Sequence, residues 1–139
     1  MTVALRVKDV MDKNVVTIDS ADTVEEAVNT MIRAKVWSLL VVTQGLPQGV
    51  VTERDVIRRC VSGRLAPDKV KVRTIMSSPL ITIGPDATIR EAMGMMVEKD
   101  VRRLYVIERG KVVGRVTQTH LFQSNFDLMM SLSGLAGTL

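Results

Sequence analysis

The segment GVVTERD, Gly49 to Asp55, brings a residue without a side chain, a hydroxyl and a carboxylate into one short stretch. Gly49 lets a strand pass close to another backbone or a ligand with no Cβ in the way. Thr52 would then open a helix, where unpaired N–H groups and the helix dipole favour a phosphate. Asp55, one turn on, can take two ribose hydroxyls at once. Contacts to such a carboxylate are worth about 1.5–3 kcal/mol, so its loss should weaken binding by about tenfold or more. The spacing Thr52-x-x-Asp55 also suits an N-cap threonine with an acid at N3, which starts a helix whether or not anything binds. Helix chemistry alone leaves both readings open.

The motif returns downstream as GRVTQTH, with Gly114 and Thr117 kept and His120 where the acid stood. Imidazole is a poorer partner for a ribose diol, so the second site reads as degenerate. His120 either faces a phosphate, with a charge that varies near neutral pH, or is a solvent-exposed helix residue; the second is the expectation. A metal role is disfavoured, because this is the sole histidine and neither a second His nor a Cys lies nearby. The sole cysteine, Cys60, falls in an expected helix and reads as a core residue.

The elements that hold these motifs are themselves duplicated. Shifting the chain by 65 residues lays Val7 on Val72, Met11 on Met76, Thr17-Ile18 on Thr82-Ile83, Glu26-Ala27 on Glu91-Ala92 and Gly49 on Gly114, with no gap. In each copy an extended piece (VVTI, LITI) leads to the capping patterns Thr23-x-x-Glu26 and Thr88-x-x-Glu91. The apolar stripes Val24, Ala27, Val28, Met31 and Ile89, Ala92, Met93, Met96, Val97 then predict a helix with one buried face. LLVV and LYVI predict strands, each turning through a Gly-containing hairpin into the strand that ends at the motif, and a closing helix follows. The expected fold is mixed α/β (α+β): two β-α-β-β-α repeats, residues 1–61 and 71–124, a linker at 62–70 and a tail at 125–139. Neither half is large enough to bury a sheet face and two helices alone, so the halves are expected to pack with a pseudo-two-fold axis.

Composition sets the outer bounds. A chain of 139 residues that is 46% hydrophobic and 3% aromatic supports one globular unit with a core of Val, Leu, Ile and Met. Arg6, Lys8 and Asp9 interrupt the N-terminal apolar residues before a signal peptide could form. The apolar C-terminus falls far short of the roughly 20 residues that cross a bilayer. The expectation is a soluble, cytoplasmic protein with no membrane partner. A net charge of +4 favours anionic partners only weakly.

The β-α-β-β-α order, the VMDKNVVTI and IMSSPLITI openings, the VRRLYVI strand and the GVVTERD exit together resemble a tandem pair of cystathionine-β-synthase-type (CBS) domains, a Bateman module, over about residues 7 to 123. The resemblance implies a regulatory binding module and not an enzyme, with an adenosine-containing ligand (AMP first, then ATP or ADP; S-adenosylmethionine or a dinucleotide in other members) held in the cleft between the repeats. It implies no catalytic cofactor. It carries the phosphate and ribose roles onto Thr52 and Asp55; read from the residues, Arg54, Arg58, Arg59 and Arg115 are further candidates for a phosphate, each more often a solvated charge. Arg102 and Arg103, which open the central strand of copy two, match a basic pair that reaches phosphates in many such modules. Trp37 and Ser38 stand there in copy one. Val15, Val16 and Thr17 with Leu80, Ile81 and Thr82 would line the adenine pocket, and Thr117 and His120 would mark the degenerate second cleft. Read from the residues alone, those six are sheet core, and Trp37 is a base-stacking candidate or a core or dimer contact.

Such pairs are usually fused to the protein they regulate, so a module of this size is expected to stand alone and act in trans on an unidentified protein. The Met- and Leu-rich tail shows no clear helical caps and is expected at or near a homodimer interface. A ligand-free scaffold and a nucleic-acid-binding protein are the rival readings. The second is the weaker, since no arginine-rich run or interleaved aromatic platform is present. No arrangement of nucleophile, base and orienter, no metal-ligand spacing and no phosphate loop points to an enzyme.

Overall fold

The structure is a computed structural model that describes residues 5–134. It divides into two compact units that do not follow the sequence repeats: Val15–Ile81 forms one, and the segment ending at Asn14 joins the chain from Thr82 onward to form the other. Each copy therefore lends its opening segment to the other copy's sheet.

In the first unit, β1 (Thr17–Asp19) pairs in parallel with β2 (Ser38–Thr43), which pairs antiparallel with β3 (Leu46–Thr52). The hairpin between β2 and β3 turns through Gln44 and Gly45, both at positive φ (52° and 78°). That is the twist a two-residue hairpin needs, which explains a glycine there. Helix α2 (Val24–Ala34) starts where the Thr23 hydroxyl accepts from the Glu26 N–H at 3.2 Å, and it buries Val24, Ala27 and Met31. These residues join Ile18, Leu39, Val41, Val51, Cys60, Val72 and Ile75 in a continuous core. β3 runs into a three-residue helix α3 (Glu53–Asp55) and a π-helical segment (Val56–Val61). Cys60 is fully buried within that segment. Past it, the chain docks back on the start of α2, where Val24 and Glu25 donate backbone N–H groups to Val70 and Pro67.

The second unit repeats the plan. Helix α1 (Val7–Val10) and helix α4 (Val72–Ile75) occupy the two opening segments, where the sequence pattern had suggested no helix. β4 (Thr82–Ile83) pairs in parallel with β5 (Arg103–Glu108), and β5 antiparallel with β6 (Lys111–Thr117). The Arg109-Gly110 turn has the same pair of positive φ angles, 52° and 78°. Helix α5 (Ile89–Lys99) is capped by Thr88 as α2 is by Thr23.

The tail corrects the sequence reading. Residues 125–133 are not a separate uncapped segment: they continue α6 (Gln118–Ser133), which stops where Gly134 turns left-handed at φ 75°. Residues past 134 lie outside the described part. Among the described residues no helix is long and apolar enough to cross a membrane.

Candidate functional site

Gly49 faces backbone. A Cβ there would stand 2.4 Å from the Ser77 carbonyl oxygen, so only glycine lets the segment after α4 cross β3 at this point. That segment is stitched down by Val50 N–H to Ser77 O at 3.0 Å and Ser77 N–H to Val50 O at 2.8 Å. The Arg59 guanidinium adds bonds to the carbonyls of Ile75 (3.1 Å) and Met76 (2.8 Å).

Ser77 is thereby placed on Asp55. Its hydroxyl donates to Asp55 Oδ1 at 2.8 Å, while Oδ2 accepts from the Thr52 N–H at 3.0 Å and the Thr52 hydroxyl at 3.2 Å. The Asp55 N–H returns a bond to Thr52 Oγ1 at 3.2 Å. Thr52 and Asp55 thus form a reciprocal capping box, and the carboxylate is 6% exposed. Composition alone did not single out Ser77, although the 65-residue shift aligns it with Asp12.

The second unit transposes this chemistry. Gly114 again sits under the crossing segment, here Met11 and Asp12. The helix position carries His120, whose Nδ1 accepts the Thr117 N–H at 3.2 Å. The expectation of a solvent-exposed His120 is corrected: the ring is half-buried because it does Asp55's capping work. Burial lowers its pKa first, and Arg115 lowers it further. The carboxylate has moved to the crossing segment as Asp12, where it pairs with Arg115 at 3.2 Å. The Asn14 N–H and then Arg115 hold the Asp12 carboxyl below its ordinary range.

The remaining candidates are divided between the units. Val15, Val16, Thr17, Leu80 and Ile81 belong with Asp55, whereas Thr82 belongs with the other unit, in β4. The Val16 carbonyl is taken by the Leu40 N–H at 2.9 Å, and Thr17 is exposed. Arg54 is half-buried two residues from Thr52. Arg102 and Arg103 stand at the start of β5, in the other unit; Arg102 is exposed and Arg103 half-buried. Trp37 is 67% exposed, which excludes a core role within the chain. A cavity of about 500 Å³ opens in the second unit between Leu5, Asp9 and Val10 and the α6 residues His120, Gln123 and Leu128. Among the described residues no three His, Cys, Asp or Glu side chains converge to hold a metal ion.

The family model of the CBS domain matches residues 7–62 and 72–125. An uncharacterised protein of Methanopyrus kandleri is 34% identical over 122 residues, covering 86% of this chain. This chain spans 62% of that relative's length. The crystal structure of an uncharacterised conserved protein from Pyrococcus horikoshii superposes with a TM-score of 0.83 at 29% identity, over 90% of this chain and 95% of that one. A hexameric CBS-CP12 protein from bloom-forming cyanobacteria superposes with a TM-score of 0.81 at 26% identity, over 87% and 68% of the two chains.

Proposed function

Because this chain belongs to the CBS-domain family and carries the domain twice, we propose that it is a regulatory module that binds an adenosine-containing nucleotide at Asp55, with AMP first and ADP or ATP next, and signals to another protein in trans. CBS pairs are regulatory modules that bind nucleotides. The observation that carries the reading here is the Asp55 carboxylate, pre-oriented by Thr52 and Ser77 in one unit and replaced by His120 in the other. A fixed acceptor spares the ligand the cost of ordering it, and a neutral ring in the second unit offers the ribose no carboxylate. Arg54 supplies positive charge beside the site, and the Val15–Thr17 segment offers apolar surface for the base.

Self-association is part of the proposal. α6 presents Phe122, Phe126, Met129 and Leu132, which are 45–80% exposed, a stripe suited to a second copy of the chain. The hexameric CBS-CP12 protein supports assembly as a property of such modules.

One observation favours a second reading, a scaffold without ligand. Both oxygens of Asp55 are engaged inside the protein, and His120 performs the same capping without any acid. Isothermal titration of AMP, ADP, ATP, S-adenosylmethionine and NAD into the wild type and Asp55→Ala decides between them. The nucleotide reading expects AMP to bind and to weaken by about tenfold or more in the variant. No heat from any of the five leaves the scaffold reading.

A further inference from the structure

Resting on the nucleotide reading above, we propose that Ser77 is the second half of the diol receptor and determines the preference for ribose over deoxyribose. A carboxylate offers about four acceptor sites, two on each oxygen. Asp55 Oδ2 already takes two donors from Thr52, and Oδ1 takes one from Ser77. One site remains, and a vicinal diol brings two O–H groups. The Ser77 hydroxyl spends its hydrogen on Oδ1 and keeps both of its own lone pairs. It lies 2.8 Å from Oδ1, so the two oxygens form a pair of neighbouring acceptors for neighbouring hydroxyls. Asp55 is 6% exposed while Ser77 is half-buried, which makes the serine the more accessible member.

Ser77 is also held in place independently of any ligand. Its backbone is bonded on both sides to Val50, the crossing is permitted only by Gly49, and Arg59 grips the two carbonyls before it. The second unit lacks the arrangement, since Asp12 replaces the serine and its carboxylate is bound to Arg115. Ser77 thus distinguishes the units as sharply as Asp55 does.

The test is a cycle of titrations of AMP, 2′-deoxy-AMP and 3′-deoxy-AMP into the wild type, Ser77→Ala and Ser77→Thr, with thermal melts of all three proteins. Ser77→Ala should weaken AMP by about tenfold. It should leave one deoxy analogue, the one lacking the hydroxyl that Ser77 receives, almost unchanged, because that contact is already missing. Ser77→Thr keeps the hydroxyl and should keep the wild-type ranking of the three ligands. Equal weakening of all three ligands by Ser77→Ala would show a merely structural residue and overturn the proposal, even with Asp55→Ala still impairing AMP. No AMP binding by the wild type would overturn this proposal together with the nucleotide reading.

Discussion

The imidazole of His120 holds the backbone N–H of Thr117 at 3.2 Å through Nδ1, as the carboxylate of Asp55 holds that of Thr52 at 3.0 Å. Only the neutral ring can do this, because protonation puts a hydrogen on both nitrogens. A cation at this point would also oppose the dipole of α6. Burial, then Arg115, depress the pKa of His120, against a smaller opposing pull from Asp12. The folded value lies below the ordinary value of about 6.5, so the unfolded chain takes the proton first. This contribution to stability is whole above about pH 6.5 and declines as pH falls below it. Asp12 is also lowered, but from an ordinary carboxyl value, so its contribution is lost only in stronger acid. Thermal midpoints of the wild type should fall between about pH 7 and pH 5.5, and His120→Asp should flatten that window. A flat wild-type profile would remove the capping account of His120.

The two glycines of the repeat should differ in cost. At Gly49 a methyl group meets the Ser77 carbonyl at 2.4 Å, and neither backbone can yield while Val50 and Ser77 are paired. At Gly114 the nearest atom is Met11 Sδ at 2.7 Å, the movable part of a flexible side chain, with the Asp12 carbonyl at 3.1 Å. Gly49→Ala should destabilise by about 1–3 kcal/mol and Gly114→Ala by less. Urea denaturation of both variants gives the ranking, and equal losses would count against the backbone clash.

The duplication, the hairpins and the capped helices were legible because each is written in local sequence. Thr23-x-x-Glu26 and Thr88-x-x-Glu91 became caps, and Gly45 and Gly110 took the left-handed turn positions. What periodicity could not show is which copy an opening segment joins. Ser77 and Asp12 reach their partners only through exchange of those segments, a pairing across 22 residues in one unit and 103 in the other. The length of α6 was missed because no capping signal marks its course between Leu121 and Gly134, although Phe122, Phe126 and Met129 carry the spacing of one helical face. His120 looked like a surface residue because imidazole is seldom counted among N3 acceptors.

Asp55 caps the start of α3, and under the proposed function it also receives the nucleotide; substitutions can separate the two. Asp55→Ala leaves the Thr52 N–H and the Ser77 hydroxyl without their acceptor in a buried place, which should cost about 1–3 kcal/mol. Asp55→Asn keeps one carbonyl oxygen for the Thr52 N–H and should recover much of that stability. It does not restore the carboxylate, so nucleotide affinity should stay low. Denaturation and titration of the same two proteins check this. If Asn restored both properties together, the negative charge would have no part in recognition.

The apolar stripe on α6 is suited to cover by a second copy of the chain. Phe122, Phe126 and Met129 recur at the four- and three-residue spacing of one helical face and are 70%, 45% and 67% exposed. Single exposed apolar residues are ordinary, but an aligned run on one helix is a cost unless another surface covers it. Phe122→Glu with Met129→Glu should shift the protein to a smaller species in sedimentation. The far-ultraviolet dichroism should stay intact, because both sites face outward and glutamate suits a helix interior. AMP titration should still reach Asp55, which lies in the other unit. An unchanged sedimentation profile would remove this stripe as a self-association face, whereas loss of helix signal would mean the stripe packs within the chain.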